Sequence, residues 1–382
     1  MNDIEELKRF ALLHSAGQGI PQERCRELLR RIRTDDRGLP GSWVWEWRGA
    51  GEMLELRGRL LDACRHYNMA RFPYVNGAAR HYALERCLSA FNRWRQANAD
   101  IQHLDLDLTG GRVRCWTSGL SASDRKPLLL IMDGIATIKE RWAPTLADVR
   151  RLGMAGIVTE MPGVGENTLR YDAESWRMIS AVLDSVRPHA DVAQTYALAP
   201  SFGGHMALRC AVDDARIRGV ITTGAPISHF FTDRAWHQAL PRLTIDTLVH
   251  MTGTTADRFA AHVHDWALTS TQLSGLDIPV YYLASRRDEL IPRSEVSYLR
   301  QHVRDLHLLE NDDVHGSPRH LAETRLWTAV SVLRMRGVRS VRRVAVGSLW
   351  RTHRARRLLT NWHLRQAPDL GSRPARGSRP PD

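Results

Sequence analysis

Residues 196–205 read Tyr196-Ala-Leu-Ala-Pro-Ser-Phe-Gly-Gly-His205. An apolar, strand-like run ends at Ser201, with Ala199 and Gly203 two residues to either side, and helix-compatible residues follow as far as Cys210. This is the G-x-S-x-G pattern with alanine in the first glycine position, and it predicts a sharp strand–turn–helix. Such a turn strains the serine backbone and leaves room only for small residues two positions away. Ser201 is therefore the candidate nucleophile.

The rest of the chain predicts the sheet to which this turn belongs. From about residue 104, short apolar runs alternate with helical patterns. That alternation indicates an α/β fold with a mostly parallel sheet and helices on both faces. The predicted strands lie near residues 113–116, 127–132, 156–161, 192–198, 218–223, 279–284 and 306–309.

Three parts are predicted along the chain. Residues 1–103 have helical spacing, and a long periodic pattern from Met53 to Ala70 indicates one continuous helix there. Residues 104–337 form the α/β domain. Residues 338–382 are an arginine-rich tail, which we expect to be partly disordered because its end is rich in glycine, proline and serine.

The net charge of +12 is typical of a nucleic-acid-binding protein, but most of it lies in one segment of the chain. Residues 339–382 hold eleven arginines and two aspartates, so they carry +9 and leave only 12 − 9 = +3 for the rest. The main body is therefore not a basic surface, and we do not expect nucleic-acid binding. A tail that binds an acidic partner is the alternative.

Composition indicates a cytoplasmic protein. No apolar run approaches the roughly 20 residues that cross a bilayer, and the acidic N-terminus lacks a signal-peptide core. We expect no membrane contact, no cofactor and no metal. The five cysteines are scattered without metal-ligand or redox spacing, so reduced thiols are expected.

Two further catalytic groups are predicted from the ends of later strands, because ligands bind outside the carboxyl ends of parallel strands. Asp288 follows the run 279–284, and His315 follows the run 306–309. The order serine, acid, histidine is typical of α/β-hydrolases. His315 would take the proton of Ser201, and Asp288 would orient the imidazole and stabilise its charged form. Glu289 is the neighbouring alternative to Asp288.

Three other histidines compete with His315 for the role of base. His302 and His307 fall within or before the last predicted strand, and His320 falls in the following helix. His315 alone stands just after that strand, so we prefer it.

The oxyanion formed during acyl transfer needs backbone N–H donors. One is expected from Phe202, directly after the nucleophile. The other is expected from Ile135, in the loop Asp133-Gly-Ile-Ala136 after the run 127–132. His205 is expected to pack or to cap rather than to react.

Four stretches together resemble α/β-hydrolases with an N-terminal helical lid. This group includes fermentation–respiration switch protein-like esterases, 2,6-dihydroxypseudooxynicotine hydrolase and the polyketide-shortening hydrolases of pigment pathways. Asp288 and His315 match as well, and the resemblance covers about residues 40–335. Ala199 and the arginine-rich tail depart from the pattern. The matching stretches are Tyr67-Asn-Met-Ala-Arg-Phe-Pro-Tyr74, Asp133-Gly-Ile-Ala-Thr-Ile-Lys-Glu140, Met161-Pro-Gly-Val-Gly-Glu166 and Ala199-Pro-Ser-Phe-Gly-Gly204.

The resemblance implies a site buried between the lid, residues 1–103, and the sheet. It also implies cleavage of an ester, or of a C–C bond next to a carbonyl. Members that cleave C–C bonds use an additional carboxylate, for which Asp233 and Glu166 are the candidates here. Tyr74 would reach the substrate from the lid. Each of these three residues has an alternative, purely structural role at the surface or in lid packing.

Four functions remain open from the sequence. The first is a serine hydrolase of polyketide-like or aromatic acyl compounds, and the second is a cyclase or acyltransferase that uses the same site. The third is a non-enzymatic protein on the same scaffold, and the fourth is nucleic-acid binding by the tail. The expected partner is a small-molecule acyl substrate, free or bound to a carrier protein, and a homodimer is compatible with the sequence.

Overall fold

The computed structural model describes residues 2–35, 38–97, 100–338 and 341–366. Sixteen α-helices lie in these ranges: α1 Ile4–Gly17, α2 Gln22–Arg31, α3 Trp43–Leu56, α4 Leu60–Arg71, α5 Ala78–Gln96, α6 Leu146–Arg151, α7 Arg177–Val186, α8 Phe202–Asp213, α9 His229–Thr232, α10 Arg234–Ala239, α11 Arg242–Thr252, α12 Phe259–Val263, α13 Ser270–Ser274, α14 Ser294–His302, α15 Leu321–Met335 and α16 Val341–Gln366.

The first five helices build the N-terminal helical region around its own hydrophobic cluster. Trp43 and Trp47 lie four residues apart on α3, and both are fully buried with ring centroids 5.9 Å apart. The same cluster includes Leu243 of α11 and contacts Ala136, so the helical region packs directly on the α/β domain.

The predicted continuous helix from Met53 to Ala70 is wrong. Gly58 has φ = +71°, a left-handed conformation that ends α3 and separates it from α4. The glycine in the middle of the periodic pattern was the sequence signal for this break.

Eight strands form one sheet in the order β1-β2-β4-β3-β5-β6-β7-β8. The pairs β1–β2 and β2–β4 are antiparallel, and the remaining pairs are parallel. Every residue of β4 and of β7 is buried, and successive residues of a strand face opposite sides, so both faces of the sheet are covered. The strands are β1 Gln102–Leu108, β2 Gly111–Ser118, β3 Pro127–Met132, β4 Ala155–Thr159, β5 Asp191–Leu198, β6 Ile217–Thr223, β7 Val280–Ser285 and β8 Leu306–Asn311.

The mostly parallel sheet is confirmed, and one strand was missed. β1 pairs along its whole length with β2 as an antiparallel hairpin. Leu104, Leu106 and Leu108 alternate with polar residues along it, which is the period-2 signal of a strand with one buried face.

The chain divides into two compact units, Met1–Leu321 and Ala322–Asp382. The first contains both the helical region and all eight strands. The predicted borders at residues 103 and 337 stay predictions. Within the predicted tail, α16 extends to Gln366, and the glycine-, proline- and serine-rich end on which the prediction of partial disorder rests lies outside the described residues. Within the described ranges, no helix has the length and apolar character needed to span a bilayer.

Candidate active site

The turn at Ser201 has the predicted strain. Ser201 has φ = 53° and ψ = −132°, a conformation that non-glycine residues rarely adopt, and it joins β5 to α8. A Cβ at Gly203 would lie 2.3 Å from the Met132 carbonyl oxygen, so only glycine lets α8 approach β3 this closely. The Ser201 amide donates to the Thr223 carbonyl of β6 at 2.8 Å. The close packing of this turn against β3 and β6 therefore holds the serine at the strand end.

The structure brings Ser201, His315 and Asp288 into one hydrogen-bonded chain. Ser201 Oγ lies 3.2 Å from His315 Nε2, and His315 Nδ1 lies 3.0 Å from each carboxylate oxygen of Asp288. Asp288 follows β7 and His315 follows β8. Because β5, β6, β7 and β8 are parallel neighbours, their carboxyl ends lie along one edge of the sheet, where these three side chains meet.

The alternatives to Asp288 and His315 have other partners. Glu289 Oε2 accepts the backbone N–H of His315 at 3.0 Å, so it positions the histidine backbone while Asp288 contacts the ring. His302 packs on Tyr298, His307 stacks on Tyr281, and His320 Nδ1 lies 3.0 Å from Asp313.

The electrostatics of His315 suit a base that becomes charged during the reaction. Burial lowers the pKa of His315, but the charge and hydrogen bond of Asp288 and the charges of Glu289 and Asp133 outweigh burial and raise it above the usual 6.5. Asp288 Oδ1 also accepts the amides of Leu290 and Ile291 at 3.0 and 2.9 Å, which fixes the carboxylate.

Gly224 makes room for the His315–Asp288 pair. It has φ = +57°, and a Cβ there would lie 2.9 Å from the His315 ring and 3.1 Å from an Asp288 oxygen. A side chain at this position would push the acid and the base apart.

The loop after β3 covers Ser201. A Cβ at Gly134 would lie 2.9 Å from Ser201 Cβ and 3.1 Å from its Oγ. The Gly134 carbonyl accepts the Thr137 amide at 3.3 Å, so the Ile135 N–H of the same trans peptide points the other way. Among the described residues, neither the Ile135 nor the Phe202 amide donates to another protein group. Both stay the predicted oxyanion donors, and this geometry leaves both available.

Side chains that the sequence analysis did not predict hold the same loop in place. Asp133 Oδ1 accepts the Gly134 amide at 2.7 Å, and its Oδ2 accepts from Arg141 Nη1 and Trp142 Nε1 at 2.7 and 2.6 Å. Arg141 and Trp142 follow the quoted Asp133–Glu140 stretch directly, but nothing in that stretch indicates that they bind its first residue.

Arg71 anchors this loop to the lid. Its guanidinium donates to the Ala136 carbonyl at 2.5 Å, to Asn68 Oδ1 at 2.8 Å and to the Pro73 carbonyl at 3.0 Å. Only 2% of Arg71 is exposed, and burial lowers its pKa to about 10. It lies inside the Tyr67–Tyr74 stretch that carried the resemblance, which was the available signal for its importance.

The three predicted substrate-binding residues make structural contacts. The Tyr74 ring stacks on His250 with centroids 4.6 Å apart, and its hydroxyl lies 3.4 Å from Asn2 Oδ1. Exposed Asp233 caps α10 by accepting the amides of Ala235 and Trp236. Neither side chain contacts the triad in the part of the chain that the structure describes, so their substrate roles stay predictions.

Glu166 belongs to a buried charge cluster rather than to the triad. Its carboxylate binds Arg114 and, at 2.7 Å, Lys139 Nζ. Lys139 is fully buried and also lies 3.0 Å from Glu140 and 3.4 Å from Glu160. Burial, opposed by Lys139 and reinforced by Glu140, raises the pKa of Glu160 to about 7. Glu166 therefore stabilises a buried cation, and its role toward substrate stays a prediction.

The packing role expected for His205 agrees with its contacts. Its Nε2 lies 2.8 Å from the Trp266 carbonyl oxygen, its ring packs on Phe231, and burial lowers its pKa to about 4.

Comparison with known families supports the assignment of the fold. Residues 40–311 match the family described as Esterase FrsA-like. The chain is 21% identical over 313 residues to Esterase FrsA of Photobacterium profundum, covering 71% of this chain and 74% of that protein. It is 22% identical over 323 residues to Esterase FrsA of Vibrio vulnificus, covering 76% of each.

Solved structures show the same fold. The structure called AbyA5 Wildtype superposes with a TM-score of 0.89 at 47% identity and covers 92% of this chain and 99% of its own. The 2,6-dihydroxy-pseudo-oxynicotine hydrolase superposes with a TM-score of 0.64 at 20% identity, covering 80% and 90%, which supports the fold alone. The chain belongs to the FrsA-like esterase family and is an enzyme of the α/β-hydrolase type. The resemblance predicted from its sequence is confirmed.

Proposed function

We propose that this enzyme is a serine hydrolase that cleaves an ester, a thioester or a C–C bond next to a carbonyl through an acyl-enzyme on Ser201. The observation that supports it is the continuous chain from Ser201 Oγ through His315 to Asp288, at 3.2 and 3.0 Å. By its resemblance, the substrate is a polyketide-like or aromatic acyl compound.

The first half of the reaction forms the acyl-enzyme. His315 Nε2 takes the Ser201 proton as Oγ attacks the carbonyl carbon, and the carbonyl π pair moves onto the oxygen. The Phe202 and Ile135 amides would hold that oxyanion. When the intermediate collapses, the bond to the leaving group breaks, and His315 returns the proton to the leaving oxygen, sulfur or carbon atom.

The second half restores the serine. Water gives a proton to His315 and attacks the acyl carbon, and collapse of this second intermediate expels Ser201 Oγ, which recovers the proton from His315. Asp288 keeps the Nδ1–H tautomer throughout and stabilises the charged imidazole.

Covalent labelling tests the nucleophile. A fluorophosphonate probe should label the wild-type protein at Ser201 and leave Ser201→Ala unlabelled. Ser185→Ala is the matched control, because the Ser185 hydroxyl only donates to the Val182 carbonyl within α7. Labelling that persists in Ser201→Ala would show that another group is the nucleophile.

A non-hydrolytic reaction at the same site is the second candidate. It is favoured by the contact of the lid with the loop above the nucleophile, where Arg71 donates to the Ala136 carbonyl, because exclusion of water protects an acyl-enzyme or an activated substrate from hydrolysis. An internal nucleophile of the substrate would then replace water, which gives a cyclase or acyltransferase.

Product masses separate the two reactions. N-acetylcysteamine thioesters of 3-oxo and 3-hydroxy acids, turned over in H₂¹⁸O, should give acids with one ¹⁸O if water is the acceptor. Products without added water or label would support cyclisation or transfer and contradict hydrolysis.

A further inference from the structure

The first helix of the lid brings His14 to the edge of the site. Gly17 lies one turn beyond His14 on α1, and a Cβ there would meet Arg141 Nη2 at 2.6 Å. Arg141 binds Asp133, the residue before Gly134. The helix also contacts residues 318–320, just beyond the triad histidine. α1 therefore lies over both the loop after β3 and the loop after β8.

The His14 ring is held in this position by packing. Its centroid lies 4.6 Å from that of Phe72, at the C-terminal end of α4. The charged or titratable groups close enough to act on it are Arg141, Asp133, Arg71 and His315. All four belong to the triad or to the contacts that fix the oxyanion loop.

His14 carries a neutral imidazole. Burial, and then Arg141, lower its pKa to about 3, and Asp133 offsets this only in part. A neutral imidazole has one N–H donor and one nitrogen acceptor, so it can bind either a carbonyl or a hydroxyl oxygen.

Both hydrogen-bonding groups of the ring are unused by the protein. Among the side-chain hydrogen bonds of the described residues, none involves a His14 ring nitrogen, and the ring is only half-buried. A half-buried ring can exchange a contact with water for a hydrogen bond to a bound molecule. A substrate oxygen held beside the oxyanion loop would supply that hydrogen bond.

We propose that His14 contacts the substrate and selects acyl chains that carry an oxygen close to the reacting carbonyl. This rests on the proposed acyl transfer at Ser201. The leaving group departs on the side of His315, which protonates it. His14 lies near Arg141 and Asp133, which fix the loop proposed to hold the carbonyl oxygen, and we assign its contact to the acyl portion of the substrate.

A matched pair of esters tests this selection. 4-Nitrophenyl 3-hydroxybutanoate and 4-nitrophenyl butanoate differ only in the β-hydroxyl group. The wild-type enzyme should prefer the hydroxy ester in kcat/KM by about two- to tenfold, the effect of one hydrogen bond. His14→Phe keeps the contact with Phe72 and should remove the preference, whereas His14→Gln keeps a donor and an acceptor and should retain part of it.

Failure of the His14 proposal can be distinguished from failure of the proposed function. An unchanged preference in His14→Phe, or no preference in the wild-type enzyme, overturns the proposal. Fluorophosphonate labelling of each variant reports separately on the triad: normal labelling with a lost preference supports His14 as a specificity residue. Absence of labelling in the wild-type protein would instead contradict the proposed function itself.

Discussion

Gly134→Ala should reduce activity sharply without unfolding the protein. The added methyl carbon would lie 2.9 Å from Ser201 Cβ and 3.1 Å from Oγ, whereas ordinary carbon contacts are about 3.5–4.0 Å. Gly134 does not have positive φ, so alanine imposes no backbone strain there. The substitution should therefore act by moving the loop away from Ser201.

The size of the effect follows from that displacement. Relief of the contact needs a shift of about 0.6–1 Å, and a misplacement of about 1 Å can cost 10²-fold in rate. The shift also moves the Ile135 amide, the proposed oxyanion donor, and loss of one such donor costs about 10²–10³-fold, or about 3–4 kcal/mol. We expect kcat/KM to fall by about 10²–10³-fold, mostly through kcat.

The assay is hydrolysis of 4-nitrophenyl butanoate, with the rate of fluorophosphonate labelling and the unfolding temperature measured alongside. Gly49→Ala is the control: Gly49 lies inside α3, and a Cβ there meets nothing within 4 Å. That variant should keep full activity and gain up to about 1 kcal/mol of stability. Activity of Gly134→Ala within threefold of wild type would refute the placement of this loop over Ser201.

Three further substitutions test the surroundings of the site. Asp288→Asn should lower kcat/KM by about 10⁴-fold. Because Asp288 raises the pKa of His315, the acid limb of the pH profile, expected above pH 6.5, should move to lower pH in that variant; an unmoved limb would contradict the pairing. Arg71→Met should lower the free energy of unfolding in urea by about 2 kcal/mol or more, since a buried charged donor is lost and the Ala136 carbonyl is left unpaired; an equally stable variant would contradict its anchoring role. Glu160 has a folded pKa of about 7 against an ordinary 4.5, so its contribution to stability is complete below pH 4.5 and is lost as the pH rises through 7. Glu160→Gln should therefore flatten the fall in unfolding free energy over that interval, and an unchanged slope would contradict this.

Local sequence alone predicts the turn at Ser201. Its strain depends on residues within two positions, whereas the need for glycine at position 203 comes from the close approach of α8 to β3. The alternation of strands and helices then predicts a parallel sheet, and with it the edge at which Asp288 and His315 were sought. Sequence order and strand ends were sufficient to select the three residues that the structure joins, although Ser201 and His315 are 114 positions apart.

The surroundings of these residues could not be predicted in the same way. Arg71 and Ala136 are 65 positions apart, and no periodicity connects them, because the contact depends on how the helical region docks on the sheet. The same holds for His14, whose position follows from the packing of α1 against Phe72 and Arg141.

The two carboxylates predicted to bind substrate show why the surroundings of the site could not be predicted. A carboxylate near a strand end is a plausible ligand for substrate until its neighbours are known. Glu166 is paired with Arg114 and Lys139, and Asp233 caps a helix, both through contacts that the sequence does not encode locally. The sequence by itself determined the turn at Ser201 and the alternation of strands and helices, because sterics and side-chain periodicity act over a few residues. Only the tertiary structure decided the partners of each charge and the lid residues that reach the site, because those depend on loops and helices brought together from distant parts of the chain.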